Sequence, residues 1–318
     1  MATCLITGAT GFVGRHVLDL VLADPTALGC DRAVALGRRE PDGVVDSAFV
    51  SADLDQVPGL RSAIHRIQPD VVLHTAGRTP PAANEELYRG NFWGTIHLLA
   101  ALRTLEKPVR VVLLGSAAEL GPVPIARLPV DESYPCLPVE AYGRGKYLAT
   151  LAGLAERPPL DVAVARVFNP IGPFAPPTQA LGRFARLLAE PGREPIELTT
   201  GDLSARRDFI DVRDVAAAMV AIARQGRAGT VYHVGTGCSR PVGEGLKRLI
   251  ELSGRSARVR EEIAGERSTP ADSRANASRL REQTGWRPRI SFDQSLTDLW
   301  QSVITRSHDK PILATTAA

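Results

Sequence analysis

Tyr142 and Lys146 stand four residues apart in a segment whose spacing predicts a helix over 140–156, so both side chains share one helical face. A phenol has a pKa of about 10, and a neighbouring ammonium is expected to lower that pKa. Ser116 follows a strand predicted over 109–115, at the strand end where parallel sheets bind ligands. A hydroxyl, a phenol and an ammonium can relay a proton beside a hydride carrier. We therefore predict that these three residues are catalytic.

A glycine-rich turn near the start of the chain predicts a dinucleotide site. It follows an apolar strand at 3–7 and opens a helix predicted over 12–23. Glycines there let the backbone turn tightly, approach a pyrophosphate and pack the helix closely on the strand. The helix N-terminus offers free N–H groups and a positive dipole end to phosphates. The residues predicted to form this site are Gly8, Thr10, Gly11, Phe12, Val13 and Gly14.

The end of the second strand, predicted over 32–37, favours NADP(H) over NAD(H). An NAD site typically carries an acidic residue there for the ribose 2′-hydroxyl, and an NADP site carries an arginine. Here Gly37 is followed by Arg38 and Arg39, and two guanidiniums suit a 2′-phosphate. NAD(H) remains the alternative. Further cofactor contacts are predicted near the adenine at Asp53 and Leu54, along the diphosphate and ribose at Thr75, Ala76 and Gly77, and near the nicotinamide at Tyr142 and Lys146.

Short apolar segments alternate with amphipathic segments through the first half of the chain. Strands are predicted at 3–7, 32–37, 48–54, 69–77, 109–115 and 160–168, with helices at 12–23, 57–68, 84–105 and 140–156. Nearly continuous apolar strands are typical of a parallel sheet that is covered on both faces. We therefore predict an α/β fold with a doubly wound parallel sheet, a Rossmann domain, over residues 1–170.

The second half has shorter and more mixed segments. Helices are predicted at 178–190, 211–225, 241–253 and 292–304, and a strand at 230–235. We expect a smaller, interleaved substrate-binding domain over 171–306, with segments that return to the first domain. Residues 307–318 lack periodicity and are predicted to be a loose tail.

Composition limits the classes of partner. The 318 residues carry 38 Lys and Arg against 35 Asp and Glu, and this small excess does not indicate nucleic-acid binding. The four cysteines are far apart and the histidines form no paired motif, so no metal site is predicted. Neither a leader peptide nor a membrane-spanning run is recognised, so a cytoplasmic protein is expected.

Six ordered segments resemble motifs of the extended short-chain dehydrogenase/reductase family, which includes nucleotide-sugar epimerases, dehydratases and reductases. They are TGATGFVG, GSAAELG, YGRGK, RVFNPIGP, RRDFIDVRDV and GWRP. Within the family, GSAAELGPV followed by NPIGPFAPPTQALGRFARLLA is most similar to the GDP-4-keto-6-deoxymannose reductases. The resemblance implies a nucleotide-sugar substrate and a homodimer in which helices at 91–105 and 141–155 pair between subunits.

The resemblance also assigns roles to single residues. It gives Ser116, Tyr142 and Lys146 the catalytic roles. It implies a supporting residue beside the cofactor at Asn91, and substrate contacts at Asn169, at Arg207 on the diphosphate and at Arg267, where Ser268 replaces the usual proline. Glu119 either orients the sugar or does acid–base work, or it is a structural hydrogen-bonding residue. Leu120 stands where the family usually has a tyrosine, so the identity of the sugar is not specified by the resemblance.

Three functions are compatible with these patterns. The first is NADP(H)-dependent reduction of the 4-keto group of a nucleotide-linked 4-keto-6-deoxyhexose. The second is a nucleotide-sugar epimerase or dehydratase that retains its NAD. The third is a non-catalytic NADP-binding regulator. The intact Ser, Tyr and Lys argue against the regulator, and the pair Arg38 and Arg39 favours net reduction.

Overall fold

A computed structural model of the protein describes residues 1–41, 48–262 and 271–308. Its strands are β1 (Thr3–Thr7), β2 (Arg32–Gly37), β3 (Phe49–Ser51), β4 (Val71–His74), β5 (Val109–Ser116), β6 (Leu160–Val167), β7 (Asn169–Ile171), β8 (Ile196–Thr200), β9 (Arg206–Arg207), β10 (Phe209–Asp211), β11 (Thr230–Val234), β12 (Arg240–Pro241) and β13 (Ala257–Glu261). Its α-helices are α1 (Phe12–Ala23), α2 (Val57–Ile67), α3 (Asn84–Tyr88), α4 (Gly94–Arg103), α5 (Ala141–Ala155), α6 (Ala180–Ala189), α7 (Val212–Gln225), α8 (Val242–Ser253), α9 (Ser278–Thr284) and α10 (Phe292–His308). The predicted contact Arg267 and residues 309–318 of the predicted tail lie outside the described residues.

The main sheet confirms the predicted doubly wound parallel architecture. Within the described residues it has seven strands, in the order β11-β6-β5-β4-β1-β2-β3. Neighbouring strands are parallel, and Thr7 of β1 is in register with Leu36 of β2 on one side and His74 of β4 on the other. The chain winds outward from β1 to β3 and then restarts at β4. A crevice at the carboxyl ends of β1 and β4 is therefore the expected place for a ligand.

Both faces of the sheet are covered, which explains the unbroken apolar strands. Cys4 and Ile6 of β1 lie in an apolar cluster with side chains of α1 and α7, whereas Leu5 lies in a second cluster with α2 and α4. All five residues of β1 are buried. The segments α7 and β11 from the second half of the chain complete this layer structure, since β11 pairs with β6.

The helix predicted over 84–105 is interrupted. A π-helical turn at Arg89–Trp93 separates α3 from α4. Asn91 lies in this turn, and its Nδ2 donates hydrogen bonds to the backbone oxygens of Leu87 and Arg78, each at 2.8 Å. Such single-turn insertions are frequent at functional sites. Periodicity alone gave no sign of the insertion, because both halves carry the same apolar face.

The residues after 170 build a third apolar cluster beside the cleft end of the sheet. It joins one face each of α6, α8 and α10, through Phe184, Leu188, Leu249, Leu296 and Leu299. The short strands β7–β10, β12 and β13 and the helix α9 were not predicted, because segments of two to seven residues carry too little periodicity. In the described part of the chain, we find no helix with the length and apolarity needed to cross a membrane.

Candidate active site

A cleft of about 970 Å³ opens at the carboxyl ends of the central strands, facing the α6 segment. Many of the predicted site residues line it: Thr10, Gly11, Phe12, Val13, Gly14, Thr75, Gly77, Asn91, Ser116, Tyr142, Lys146, Asn169 and Arg207. These residues come from seven separate stretches of the sequence. The fold therefore brings the glycine-rich turn, the Ser–Tyr–Lys set and the two substrate candidates to one cavity.

Other predicted residues lie behind or beside the cleft and do not line it: Gly8, Gly37, Arg38, Arg39, Asp53, Leu54, Ala76 and Glu119. Leu54 packs in the sheet cluster that contains α2 and α4, and its backbone oxygen lies 2.8 Å from Nδ1 of His97. The Asp53 carboxylate accepts the backbone N–H of Asp55 at 3.1 Å. Both residues therefore have structural contacts of their own in this structure.

The glycine-rich turn is too close-packed for side chains at two positions. Gly8 has a φ of +75°, and a methyl group there would lie 2.5 Å from the backbone nitrogen of Ala76. A methyl group on Gly14 would lie 2.1 Å from the backbone oxygen of Gly8 and 2.5 Å from Oγ1 of Thr75. The turn therefore brings bare backbone and the N-terminus of α1 to the cleft, a cradle that fits a dinucleotide diphosphate.

The Ser–Tyr–Lys set is held by the strand β5 and the first turns of α5. Lys146 is buried, and its Nζ donates to the backbone oxygen of Leu114 at 2.9 Å. The Ser116 hydroxyl acts on the Tyr142 phenol and lowers its pKa. The backbone N–H of Ala118 donates to Ser116 Oγ at 3.2 Å, so the single Ser116 proton remains for a partner on the side of the Tyr142 phenol.

Burial shifts both titrating groups of this set. Burial lowers the pKa of the Lys146 ammonium to about 8, while the carboxylate of Glu119 acts in the opposite direction. Burial also raises the pKa of Tyr142 above its ordinary value, opposed by the hydrogen bond from Ser116 and reinforced by Glu119. Without a bound cofactor the net shift of the phenol pKa is therefore upward, and its largest cause is burial.

Gly77, Asn91 and Lys146 meet on one side of the cleft. A methyl group on Gly77 would lie 2.6 Å from Asn91 Oδ1 and 3.2 Å from Lys146 Nζ. Asn91 Oδ1 accepts the backbone N–H of Arg78 at 3.2 Å. The asparagine thus fixes the turn after β4 to the π-helical turn and keeps the space beside the ammonium open.

Glu119 points away from the cleft. It has no exposed surface, and its carboxylate accepts bonds from Arg166, Thr150 and the backbone of Ser116. A carboxylate with these internal partners is not available to a sugar. The structure therefore favours the structural alternative for Glu119 over substrate contact.

Two charged residues that the sequence analysis did not single out line the far end of the cleft near Arg207. The Arg186 Nε and the Asp272 Oδ1 are buried and have no hydrogen-bond partner among the described residues. Arg186 could have been found at the edge of the apolar face of α6, where Phe184 and Leu188 point to the core. Asp272 gave no sequence signal.

A side pocket of about 380 Å³ extends the cleft at this end. It shares Asn169, Gln179 and Arg207 with the main cleft. The guanidinium of Arg207 donates to the backbone oxygen of Arg206 at 2.7 Å, and burial lowers its pKa. A ligand that reaches from Ser116 past Arg207 into the side pocket would be elongated and would carry negative charge at its centre.

Arg38 and Arg39 are exposed at the end of β2, next to the strand that leads into the glycine-rich turn. Over the described ranges, neither guanidinium has an ion-pair or hydrogen-bond partner. An arginine at the end of the second strand is what an NADP site typically carries beside the 2′-phosphate.

The doubly wound sheet, the glycine-rich turn at its switch point and the Tyr–Lys pair beside a serine define a dinucleotide-dependent enzyme of the extended short-chain dehydrogenase/reductase class. The family model of the NAD dependent epimerase/dehydratase family matches residues 4–235. The chain belongs to this family, and the resemblance noted in the sequence is confirmed.

Two relatives and one solved structure narrow the class. The GDP-6-deoxy-D-mannose reductase of Pseudomonas aeruginosa is 31% identical over 319 residues, covering 93% of this chain and 96% of that protein. The dTDP-6-deoxy-L-talose 4-dehydrogenase (NAD(P)(+)) of Kitasatospora kifunensis is 29% identical over 312 residues, covering 96% of each chain. The structure of RMD from Pseudomonas aeruginosa complexed with NADPH superposes with a TM-score of 0.82 at 28% identity, covering 96% of this chain and 100% of that one. The protein is thus a nucleotide-sugar enzyme of the NAD(P)-dependent oxidoreductase and epimerase family.

Proposed function

We propose that this protein reduces the 4-keto group of a nucleotide-linked 4-keto-6-deoxyhexose with NADPH, using Ser116, Tyr142 and Lys146. The observation that carries the proposal is the meeting of these three side chains in one cleft with the glycine-rich turn. Both relatives described above are named for 6-deoxyhexose nucleotides, one linked to GDP and one to dTDP. The proposed substrate is therefore not restricted to one nucleotide base.

The cofactor would lie along the cradle of Gly8, Gly11 and Gly14, with Arg38 and Arg39 at its 2′-phosphate. Bound there, the dinucleotide supplies the hydride. The RMD structure with NADPH supports the choice of NADPH, and the pair Arg38 and Arg39 points the same way. NAD(H) is the alternative cofactor, and the double arginine leaves its ribose without the usual acidic partner.

Tyr142 is the proposed proton donor to the carbonyl oxygen. Because burial raises its pKa, the phenol is protonated at neutral pH, which is the form that a reduction requires. With substrate bound, Ser116 would donate its hydroxyl proton to the same carbonyl oxygen instead of to the phenol, and would hold that oxygen beside the phenol. Lys146 keeps a positive charge at neutral pH, since its pKa of about 8 lies above 7. That charge stabilises the phenolate that forms as the proton leaves.

The turn after Ser116 supports reduction over dehydration. Elimination of water from a sugar needs an acid and a base beside the ring. Here the turn presents Ala117 and Ala118 to the cleft, and the carboxylate that follows, Glu119, is buried and bonded to other residues. The described residues nearest to Ser116 in sequence thus provide hydrogen bonding without a free carboxylate.

The other end of the cleft suits a nucleoside diphosphate. Arg207 and Arg186 would bind the diphosphate. The Nε of Arg186 is buried and has no hydrogen-bond acceptor among the described residues. Asp272 Oδ1 would accept a hydroxyl or N–H donor of the nucleoside. The side pocket that begins at Asn169 and Gln179 offers room for the base.

A homodimer and a cytoplasmic location stay proposals. Trp93, on the π-helical turn, and Leu148 and Leu151, on α5, are large apolar side chains that are 39–50% exposed. A second copy of the chain would cover them. Light scattering at several protein concentrations measures the mass, and a monomer at all of them would contradict the dimer.

The assay of the proposal mixes the purified protein with NADPH and GDP-4-keto-6-deoxymannose, and separately with its dTDP-linked counterpart. We expect loss of the reduced-nicotinamide absorbance with at least one of them, and a slower loss with NADH. No loss with either substrate, together with NAD that remains bound through purification, would contradict the reductase and favour the epimerase alternative.

A further inference from the structure

A buried ion pair lies directly beneath the proposed catalytic serine. Glu119 Oε2 accepts hydrogen bonds from Nε and Nη2 of Arg166, at 3.0 and 2.9 Å. It also accepts the hydroxyl of Thr150 from α5 at 2.9 Å. Arg166 is 2% exposed and Glu119 is fully buried, so both charges are removed from water. A pair this deep is costly to bury and needs all of its partners.

The other carboxylate oxygen reaches the active site itself. Oε1 of Glu119 accepts the backbone N–H of Ser116 at 2.7 Å. A methyl group on Gly115 would lie 2.7 Å from the same oxygen, so the glycine before the serine makes room for it. The hydrogen bond closes the turn from β5 into the short 3-10 turn at Ala117–Leu120 and thereby fixes where Ser116 Oγ points.

The far side of the pair is anchored as well. Arg166 Nη1 lies 3.4 Å from Nε2 of His233 on β11. His233 Nδ1 lies 3.0 Å from the backbone oxygen of Val130, a cleft residue. Burial lowers the His233 pKa to about 3, so this ring is neutral and adds no charge of its own near neutral pH.

We propose that Glu119 is a positioning residue, which holds Ser116 through its backbone N–H and places a negative charge beneath Tyr142 and Lys146. This inference rests on the catalytic roles proposed above for those three residues. The carboxylate disfavours loss of the phenol proton and favours the ammonium, so it keeps Tyr142 in the protonated form that reduction requires.

Several other titratable or charged groups surround the Glu119 carboxylate, and their charge states must stay the same in any test of its effect. They are His74 on β4, Cys136 before α5, Lys146 on α5, Arg166 on β6 and His233 on β11. Burial lowers the pKa of His74 to about 3 and raises that of Cys136, so both are neutral near pH 7. Among these charges, the Glu119 carboxylate is the one that shifts the phenol pKa.

The first test separates position from charge with a double-mutant cycle. Glu119→Asp keeps the charge and shortens the side chain, so we expect kcat to fall about 10²-fold with little change in the KM for NADPH. In a Ser116→Ala background the same substitution should lower kcat less than about threefold, because the residue acts through Ser116. An equal loss in both backgrounds would overturn the positioning role.

The second test measures the effect of the Glu119 charge on the Tyr142 titration and does not require turnover. The phenolate absorbance of Tyr142 is isolated by subtracting the titration of Tyr142→Phe from that of the intact protein. In Glu119→Gln, which retains an oxygen acceptor for Ser116, we expect this titration to move to lower pH. An unchanged or higher titration would overturn the proposed charge effect. Because no substrate is needed, the result stands even if the protein proves not to be a reductase.

A matched control tests whether removing any buried carboxylate would shift the Tyr142 titration. Asp214 on α7 is buried and accepts the backbone N–H groups of Arg289 and Ile290 at 3.0 and 2.9 Å, away from the cleft. Asp214→Asn should leave the Tyr142 titration unchanged, and the same shift in this variant would overturn the proposal. If Glu119→Gln does not fold, as judged by circular dichroism, the Glu119→Asp cycle decides alone.

Discussion

Replacing Lys146 with methionine should make the unliganded protein more stable while removing its activity. The ammonium is 7% exposed and lies in the proposed active site, where it has one backbone partner, the oxygen of Leu114. A buried charge with so little compensation is unfavourable in the folded state. Methionine has a similar length and no charge, so it fills the same space without that penalty.

The size of the effect follows from the Lys146 pKa. Burial lowers it from 10.5 to about 8, which corresponds to about 3 kcal/mol of destabilisation of the charged form at neutral pH. Losing the donor to the Leu114 oxygen costs about 1 kcal/mol. Lys146→Met should therefore stabilise the protein by about 2 kcal/mol at neutral pH. The penalty is complete below the folded pKa and disappears as pH rises from about 8 to 10.5, so the gain should shrink over that window.

Urea unfolding of the cofactor-free protein at neutral and alkaline pH measures this difference. Lys247→Met is the matched control, because Lys247 is exposed on α8 and should change the free energy of unfolding by less than about 0.5 kcal/mol. A Lys146→Met variant that is less stable than the parent at neutral pH, or a gain that does not depend on pH, would refute the reasoning.

Three further substitutions test the cofactor and substrate ends of the cleft. Replacing Arg38 and Arg39 together with alanine should weaken NADPH binding about 10²-fold and NADH binding hardly at all, by fluorescence titration. Equal losses would place the arginines away from the 2′-phosphate. Gly14→Ala puts a methyl group 2.1 Å from the Gly8 oxygen and should abolish dinucleotide binding in calorimetry, whereas unchanged affinity would contradict the packing argument. Arg186→Met should raise the KM for the nucleotide sugar at least ~10-fold and leave the NADPH dissociation constant unchanged. A raised NADPH dissociation constant would assign Arg186 to the cofactor instead.

The parts of the fold that could be predicted are those with strong local patterns. The strand predicted over 32–37 has those bounds in the structure, and the helix predicted over 12–23 does as well. Continuous apolar strands and amphipathic helices are set by burial on the two faces of the sheet, which one sequence records directly. The π-helical turn around Asn91 was missed, because an extra residue in one turn leaves the apolar spacing nearly unchanged.

The site residues also divide into those that local sequence patterns indicated and those that they did not. The glycine-rich turn and the pair Tyr142 and Lys146 are local in sequence, so their spacing indicated them. Glu119 could not be decided from the sequence, since its role depends on meeting Arg166 from another strand. Asp272 and Arg186 acquire their position only when the α6 segment closes over the carboxyl ends of the strands. Contacts between residues that are far apart in the sequence produce no periodic pattern in it.

The most direct test of the central claim is the turnover of Tyr142→Phe. The phenol is the proposed proton donor, and the rest of the cleft is unchanged by removing one oxygen. The account predicts that kcat for the 4-keto sugar falls by about 10²–10⁴-fold while the dissociation constant of NADPH changes little. A variant that turns over at nearly the rate of the parent protein would contradict it.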